Sequence, residues 1–223
     1  MKNLIRTVCL FLLVALVLPG NVSAGEKMIE VKITNLSAKV VLTPPIVAAS
    51  RGQITVFQLT EPASEALEML AEEGLTDELA MMFQEHNAFV AQAAGPILPG
   101  QTLTLYVSGH RYARISLASM ILPTNDGFVA LNSKRIKPYG STTAFLSAYD
   151  AGTEFNDEDC GNIVNPGNIP GPLPSCGGGV GYDPASGEGF VYPHPGTHGE
   201  NEISAEEFSW ADPVAMVTTR IVK

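Results

Sequence analysis

Two acidic turns carry the most chemically suggestive side chains in this chain. The first reads Pro123-Thr124-Asn125-Asp126-Gly127-Phe128 and the second Tyr149-Asp150-Ala151-Gly152-Thr153-Glu154. Asp150 and Glu154 lie four apart around Ala151-Gly152, where glycine allows the tight backbone that turns both carboxylates toward one point. Asp126 follows Pro123 at the mouth of the earlier turn. Three carboxylates, filled out by backbone carbonyls and water, suit a hard cation such as calcium, which takes six to eight oxygens. The run Asp157-Glu158-Asp159 adds further acids nearby. The glycine and terminal glutamate of a helix-loop-helix calcium loop are misplaced here, so the expectation is a different kind of calcium site. The competing reading of the same spacing is a set of acidic turn residues facing solvent.

A second chemically loaded segment is Tyr192-Pro193-His194-Pro195-Gly196-Thr197-His198-Gly199-Glu200. On a helix, His194 and His198 would share a face, but two prolines and two glycines forbid the helix. In a tight turn the two imidazoles and Glu200 could hold zinc or copper and support an exported metal-dependent hydrolase. The alternative is a structural role in a convoluted loop. His86 and His110 are isolated and expected on the surface. No Gly-x-Ser-x-Gly elbow and no Gly-x-x-x-x-Gly-Lys phosphate loop occurs.

Strands must position these turns. Residues 28–36 alternate in the β sense, with Ile29, Val31 and Ile33 on one face and Glu30, Lys32 and Thr34 on the other. Residues 39–42 continue extended until Pro44-Pro45, and 54–59 read as another strand. A helix opens near Ser64 with Ala66, Leu67, Leu70 and Ala71 on one face and ends at Gly74; a second starts at Thr76-Asp77-Glu78. Their apolar seam is expected to pack on the sheet. Strands return at 102–107, 112–122, 128–131, 142–148 and 214–222. From Asp150 to Trp210 the chain is rich in Gly, Pro and Asn, with no clear strand. Such a pattern predicts a mainly β, antiparallel β-sandwich with a short helical insertion.

Whole-chain features bound the setting. Lys2 and Arg6 precede an apolar stretch at 10–18, followed by Val22-Ser23-Ala24, which predicts a signal peptide over 1–24 cleaved after Ala24 and one domain over 25–223. Cys9 precedes the apolar stretch, which argues against a lipidated cysteine at the cleavage point. Losing two basic and no acidic residues takes the formal charge from −10 to −12. Such a surface repels phosphate backbones, so nucleic acid is not an expected partner. The expected location is secreted or periplasmic, with no transmembrane segment in the mature chain. The remaining pair, Cys160 and Cys176, then predicts a disulfide worth about 3 kcal/mol for its loop length.

The motifs together resemble the spondin domain of F-spondin, mindin and exported bacterial proteins. The likeness runs through Val31-Lys32-Ile33-Thr34-Asn35-Leu36, Leu42-Thr43-Pro44-Pro45, Glu61-Pro62-Ala63-Ser64-Glu65-Ala66-Leu67 and Leu70-Ala71-Glu72-Glu73-Gly74. It is densest at Met120-Ile121-Leu122-Pro123-Thr124-Asn125-Asp126 and Tyr149-Asp150-Ala151-Gly152-Thr153-Glu154, and closes at Trp210-Ala211-Asp212-Pro213. The resemblance implies a sandwich related to calcium-dependent lipid-binding modules, with calcium (Ca2+) at Asp126, Asp150 and Glu154. It further implies a non-enzymatic adhesion or envelope role with a protein or glycan ligand. The histidine segment resembles a His-x-Gly-x-His-Gly stretch of the bacterial members, without supplying a role. Glu154 departs from the aspartate of the animal proteins and reaches one methylene further. The stretch Leu103-Thr104-Leu105-Tyr106 has no acid where mindin carries a glutamate, so integrin binding is not implied.

Overall fold

The computed structural model describes residues 25–164, 169–171, 173 and 187–222. The expected signal segment lies outside them, as does Cys176 and with it the expected Cys160–Cys176 bond. No helix among the described residues is long and apolar enough to cross a membrane.

Two antiparallel sheets face each other. The strands are β1 (Lys27–Asn35), β2 (Val41–Leu42), β3 (Ile46–Ser50), β4 (Phe89–Gln92), β5 (Thr102–Gly109), β6 (Arg114–Leu122), β7 (Gly127–Arg135), β8 (Ser141–Leu146), β9 (Ala148–Asp150), β10 (Tyr192–Pro193) and β11 (Ala215–Ile221). One sheet has the order β5-β1-β11-β8; the other runs β10-β9-β7-β6-β3-β4, with β2 also pairing β6. Ile29, Val31, Ile33, Val107 and Val217 meet Val47, Ile115, Leu117 and Val129 between the sheets.

The larger sheet is covered on its other face as well. Helices α1 (Glu65–Glu73) and α2 (Asp77–Glu85) bring Leu67, Leu70, Leu79 and Phe83 onto Ile46, Ala48, Ala118 and Phe128. This double burial explains why β3 and β6 are buried almost without a break, with small serines among their apolar residues, while the apolar residues of β1 alternate. Ser64 caps α1 by accepting the Leu67 N–H at 3.3 Å, and Gly74 ends it at φ +68°.

Several expectations need correcting. Residues 46–50 form β3, which the preceding prolines concealed. Residues 54–59 form no strand: their apolar alternation is real, since Ile54 and Val56 are buried, but side chains satisfy the backbone. Ile54 N–H donates to Ser133 Oγ at 2.6 Å and Val56 N–H to Asn132 Oδ1 at 2.7 Å. Asn132 Nδ2 returns a bond to Phe57 O at 2.8 Å. Strand β7 continues past Leu131 to Arg135 through a bulge opposite Ile115 and Leu117. The run at 142–148 splits into β8 and β9, because the chain leaves one sheet and enters the other there. The stretch from 150 to 210 contributes β10 and a short helix α3 (Ala205–Phe208).

Candidate functional site

Strand register creates the carboxylate site. Gly127 opens β7 and Asp150 closes β9, and the two residues are direct antiparallel partners. Asp126, one residue before Gly127, therefore arrives beside Asp150 at the same end of the sheet. The Thr124 hydroxyl donates to Ile121 O at 2.6 Å and accepts the Gly127 N–H at 3.0 Å, which closes the first turn. In the second turn Gly152, at φ +68°, donates its N–H to Asp150 Oδ1 at 2.8 Å. A Cβ on Gly152 would stand 2.3 Å from Phe190 O, so only glycine allows that backbone to cross the turn.

Asp126, Asp150 and Glu154 are each 0% exposed. They are interior groups, which removes the reading of solvent-facing turn acids. Asp126 Oδ2 accepts from Thr153 N–H at 2.8 Å, Glu154 N–H at 3.1 Å and the Thr153 hydroxyl at 3.2 Å. Its Oδ1 is buried and receives no hydrogen bond. Asp150 Oδ2 accepts from Asn156 Nδ2 at 2.6 Å, and that amide also reaches the Tyr192 hydroxyl at 3.0 Å.

Electrostatics follow from this burial. Desolvation pushes Asp126 upward against the pull of the Glu154 and Thr153 donors, and the Asp126 and Asp150 carboxyls are within bonding reach of each other. Asp150 is pushed higher still, first by burial and then by the negative charge of Asp126. Burial raises the Tyr192 hydroxyl as well, with Asp150 and Glu188 adding to the shift. Two adjacent carboxyls in a desolvated pocket cannot both ionise cheaply unless a positive partner joins them.

The structure brings Asp126 and Asp150 together, with the backbone of Glu154 anchoring Asp126. Among the described residues, no three His, Cys, Asp or Glu side chains gather closely enough to hold a metal. Sequence reasoning missed Glu72, which is buried on α1 and whose carboxyl is raised to about 7 chiefly by desolvation. An acid among the core-facing residues Leu67, Leu70 and Ala71 was the available signal. Asn156 and Glu188 were also missed, and nothing in their spacing marked them.

The histidine segment passes beside the same strand ends. The His194 ring lies 5.0 Å from the Trp210 ring, edge to face, and a Cβ on Gly127 would meet its Cδ2 at 2.9 Å. Its Nδ1 accepts the Gly196 N–H at 3.0 Å, which leaves the proton on Nε2. That Nε2 is sealed from solvent and finds no partner. Burial, and then the neighbouring His198, pulls the imidazole down to about 4. Glu158 holds the loop by accepting the N–H groups of His198 at 2.5 Å and Glu200 at 2.7 Å. The side chains of His198 and Glu200 themselves are exposed. His86 is exposed as expected, whereas His110 is half-buried against Phe89 and Arg51.

The double-layered antiparallel sandwich with acids buried at one pole defines the class to which this chain belongs by architecture. No family model matches the chain, and no curated protein matches it.

Proposed function

We propose that this chain is an exported, non-enzymatic binding module of spondin type whose buried carboxylate pair takes up calcium. One observation carries the reading: Asp126 and Asp150 are fully buried side by side, and Asp126 Oδ1 has no donor. A divalent cation supplies the charge that such a pair lacks, and carboxylate oxygens are the ligands calcium prefers. Asp126 and Asp150 would hold it, with Glu154 as the third acid if its side chain turns toward the pair.

Complete burial of the acids supports a bracing role for the cation. An ion at this depth ties the 123–127 turn to the 150–154 turn rather than touching a partner. It braces the rim of the sandwich, while recognition of a protein or glycan falls to the surface. The signal-like amino terminus and the cysteine pair support export to the periplasm or beyond. The hydrolase alternative lacks a comparable site, since His194 Nδ1 is committed to Gly196 and Nε2 carries the proton.

Thermal melting with calcium and with a chelator at pH 8 tests the proposal. Calcium at a hundred times its Kd stabilises by about 2.7 kcal/mol. In a domain of this size that raises Tm by about 5–10 °C. Identical melts under both conditions would rule the cation out and leave a pair bridged by a shared proton.

A further inference from the structure

The opposite pole of the sandwich gathers several cations, with Glu26 ahead of β1 at the same end. Strand β7 spans the distance between poles, about 26 Å for nine residues. Arg135 ends β7 and pairs with Arg114 at the start of β6, which in turn pairs with Ser50 at the end of β3. Arg51 follows β3, Arg111 sits in the turn between β5 and β6, and Lys134 and Lys137 flank the exit of β7. No acidic residue occurs from 87 to 125 or from 127 to 149.

The ion pairs found among the described residues are both made by Glu30, with Lys32 and Arg220. Arg51, Arg111, Arg114, Lys134, Arg135 and Lys137 make no ion pair with a carboxylate among the described residues. The chain as a whole carries a formal net charge of −10, so these cations are set apart from most of its acids. Segregation of this kind creates a local positive field on an acidic protein.

Aromatic rings stand among these cations. Tyr139 is 76% exposed and Tyr112 61% exposed. The Arg111 guanidinium lies 4.7 Å from the Tyr139 ring centre and 5.7 Å from that of Tyr112, and it donates to the Tyr139 hydroxyl. Stacking holds the guanidinium in place before any ligand arrives, so less side-chain freedom is lost on binding. Arg114 Nη1 is likewise fixed, donating to Ser133 O at 3.0 Å.

We propose that this pole binds an acidic polysaccharide, with guanidiniums taking sugar carboxylates in two-pronged contacts and Tyr112 and Tyr139 stacking on pyranose faces. Fork-like donors match carboxylates, and exposed rings beside them match the apolar faces of sugars rather than the groove of a nucleic acid. The site is independent of the carboxylate pair and would survive the failure of the calcium reading.

Titration calorimetry of the folded full-length mature protein with short oligogalacturonate tests it, alongside neutral dextran, polyglutamate and phosphatidylglycerol vesicles. Binding to oligogalacturonate that weakens with added salt, without binding to dextran, is expected. Tyr139→Ala and Arg111→Ala should each weaken it about tenfold, with Arg111→Lys weakening it several-fold despite the retained charge. No binding, equal binding to polyglutamate, preference for vesicles, or indifference to Tyr139→Ala would each overturn the proposal. So would salt-sensitive self-association abolished by the same substitutions, which would assign the pole to the acidic end of a second copy. Repeating the titration in chelator, at a temperature where circular dichroism reports a folded chain, should change nothing; loss of binding there would move the site to the other pole and also count against it.

Discussion

The two poles of this sandwich handle charge in opposite ways. At the end where β7 begins, Asp126 and Asp150 are sealed from water and fastened by backbone donors. Where β7 ends, Arg111, Lys134 and Arg135 are exposed and make no ion pair among the described residues. Buried charge couples to folding, because its ionisation must be compensated inside the protein. Exposed charge couples to encounter and is screened by salt. The comparison therefore assigns stability to one pole and recognition to the other, and each assignment can be broken separately.

The largest effect is expected at Gly152. Alanine there would occupy φ +68° and drive its Cβ to 2.3 Å from Phe190 O. The left-handed conformation costs about 1–2 kcal/mol by itself, and the backbone contact adds to it. Gly152→Ala should lose about 3 kcal/mol or more in denaturant unfolding. If its unfolding midpoint matches the parent, the close crossing of 187–191 over the turn is wrong.

The sign of the pH response gives the next largest effect. Asp126 is held up to about 6 and Asp150 up to about 8, and they release protons as a pair. The folded chain then binds more protons than the unfolded chain above the ordinary carboxylate range. Their contribution is present below about pH 4 and is lost as pH rises through 6 to 8. Glu72, raised to about 7, acts in the same direction. His194, pulled down to about 4, acts oppositely, costing stability as pH falls below its ordinary value of 6.5. Between pH 6.5 and 8.5 the carboxyls dominate, so Tm in chelator should fall over that interval and calcium should flatten the fall. Asp150→Asn should melt higher than the parent in chelator at pH 8 yet gain nothing from calcium. A variant that melts lower in chelator, with the parent's pH profile intact, would mean the pair is not the source.

These sites were unequally legible in the sequence. Asp126 and Asp150 stood out because each follows a run of strand-like residues and sits in a turn with glycine, so local pattern and global register agree. Their burial was not legible, since it depends on residues 187–193 folding back across the second turn. Strands β1, β5, β6 and β11 were recovered because their apolar residues face one core, or two in β6. The region 54–59 shows where periodicity misleads: alternation reports which side chains are buried, not what pairs with the backbone. Its partners come from Asn132 and Ser133, 75 or more residues away. Asn132→Ala should leave Val56 N–H and Phe57 O without protein partners and cost about 1–3 kcal/mol. An unchanged urea midpoint would show that water replaces the amide without loss.

The smallest expected effect is also the sharpest contrast with the acidic pole. Arg111 is exposed, and its contacts are with the rings of Tyr112 and Tyr139 rather than with any buried group. Removing it exposes no cavity and strands no buried charge, so Arg111→Ala should shift unfolding stability by no more than about 0.5 kcal/mol. The same substitution at the other pole, Asp126→Ala, removes the acceptor of the Thr153 and Glu154 N–H groups and cannot be silent. If Arg111→Ala instead destabilises as much as Asp126→Ala, the cation and its two rings are a structural clamp, and the division between a bracing pole and a reading pole fails at its reading end.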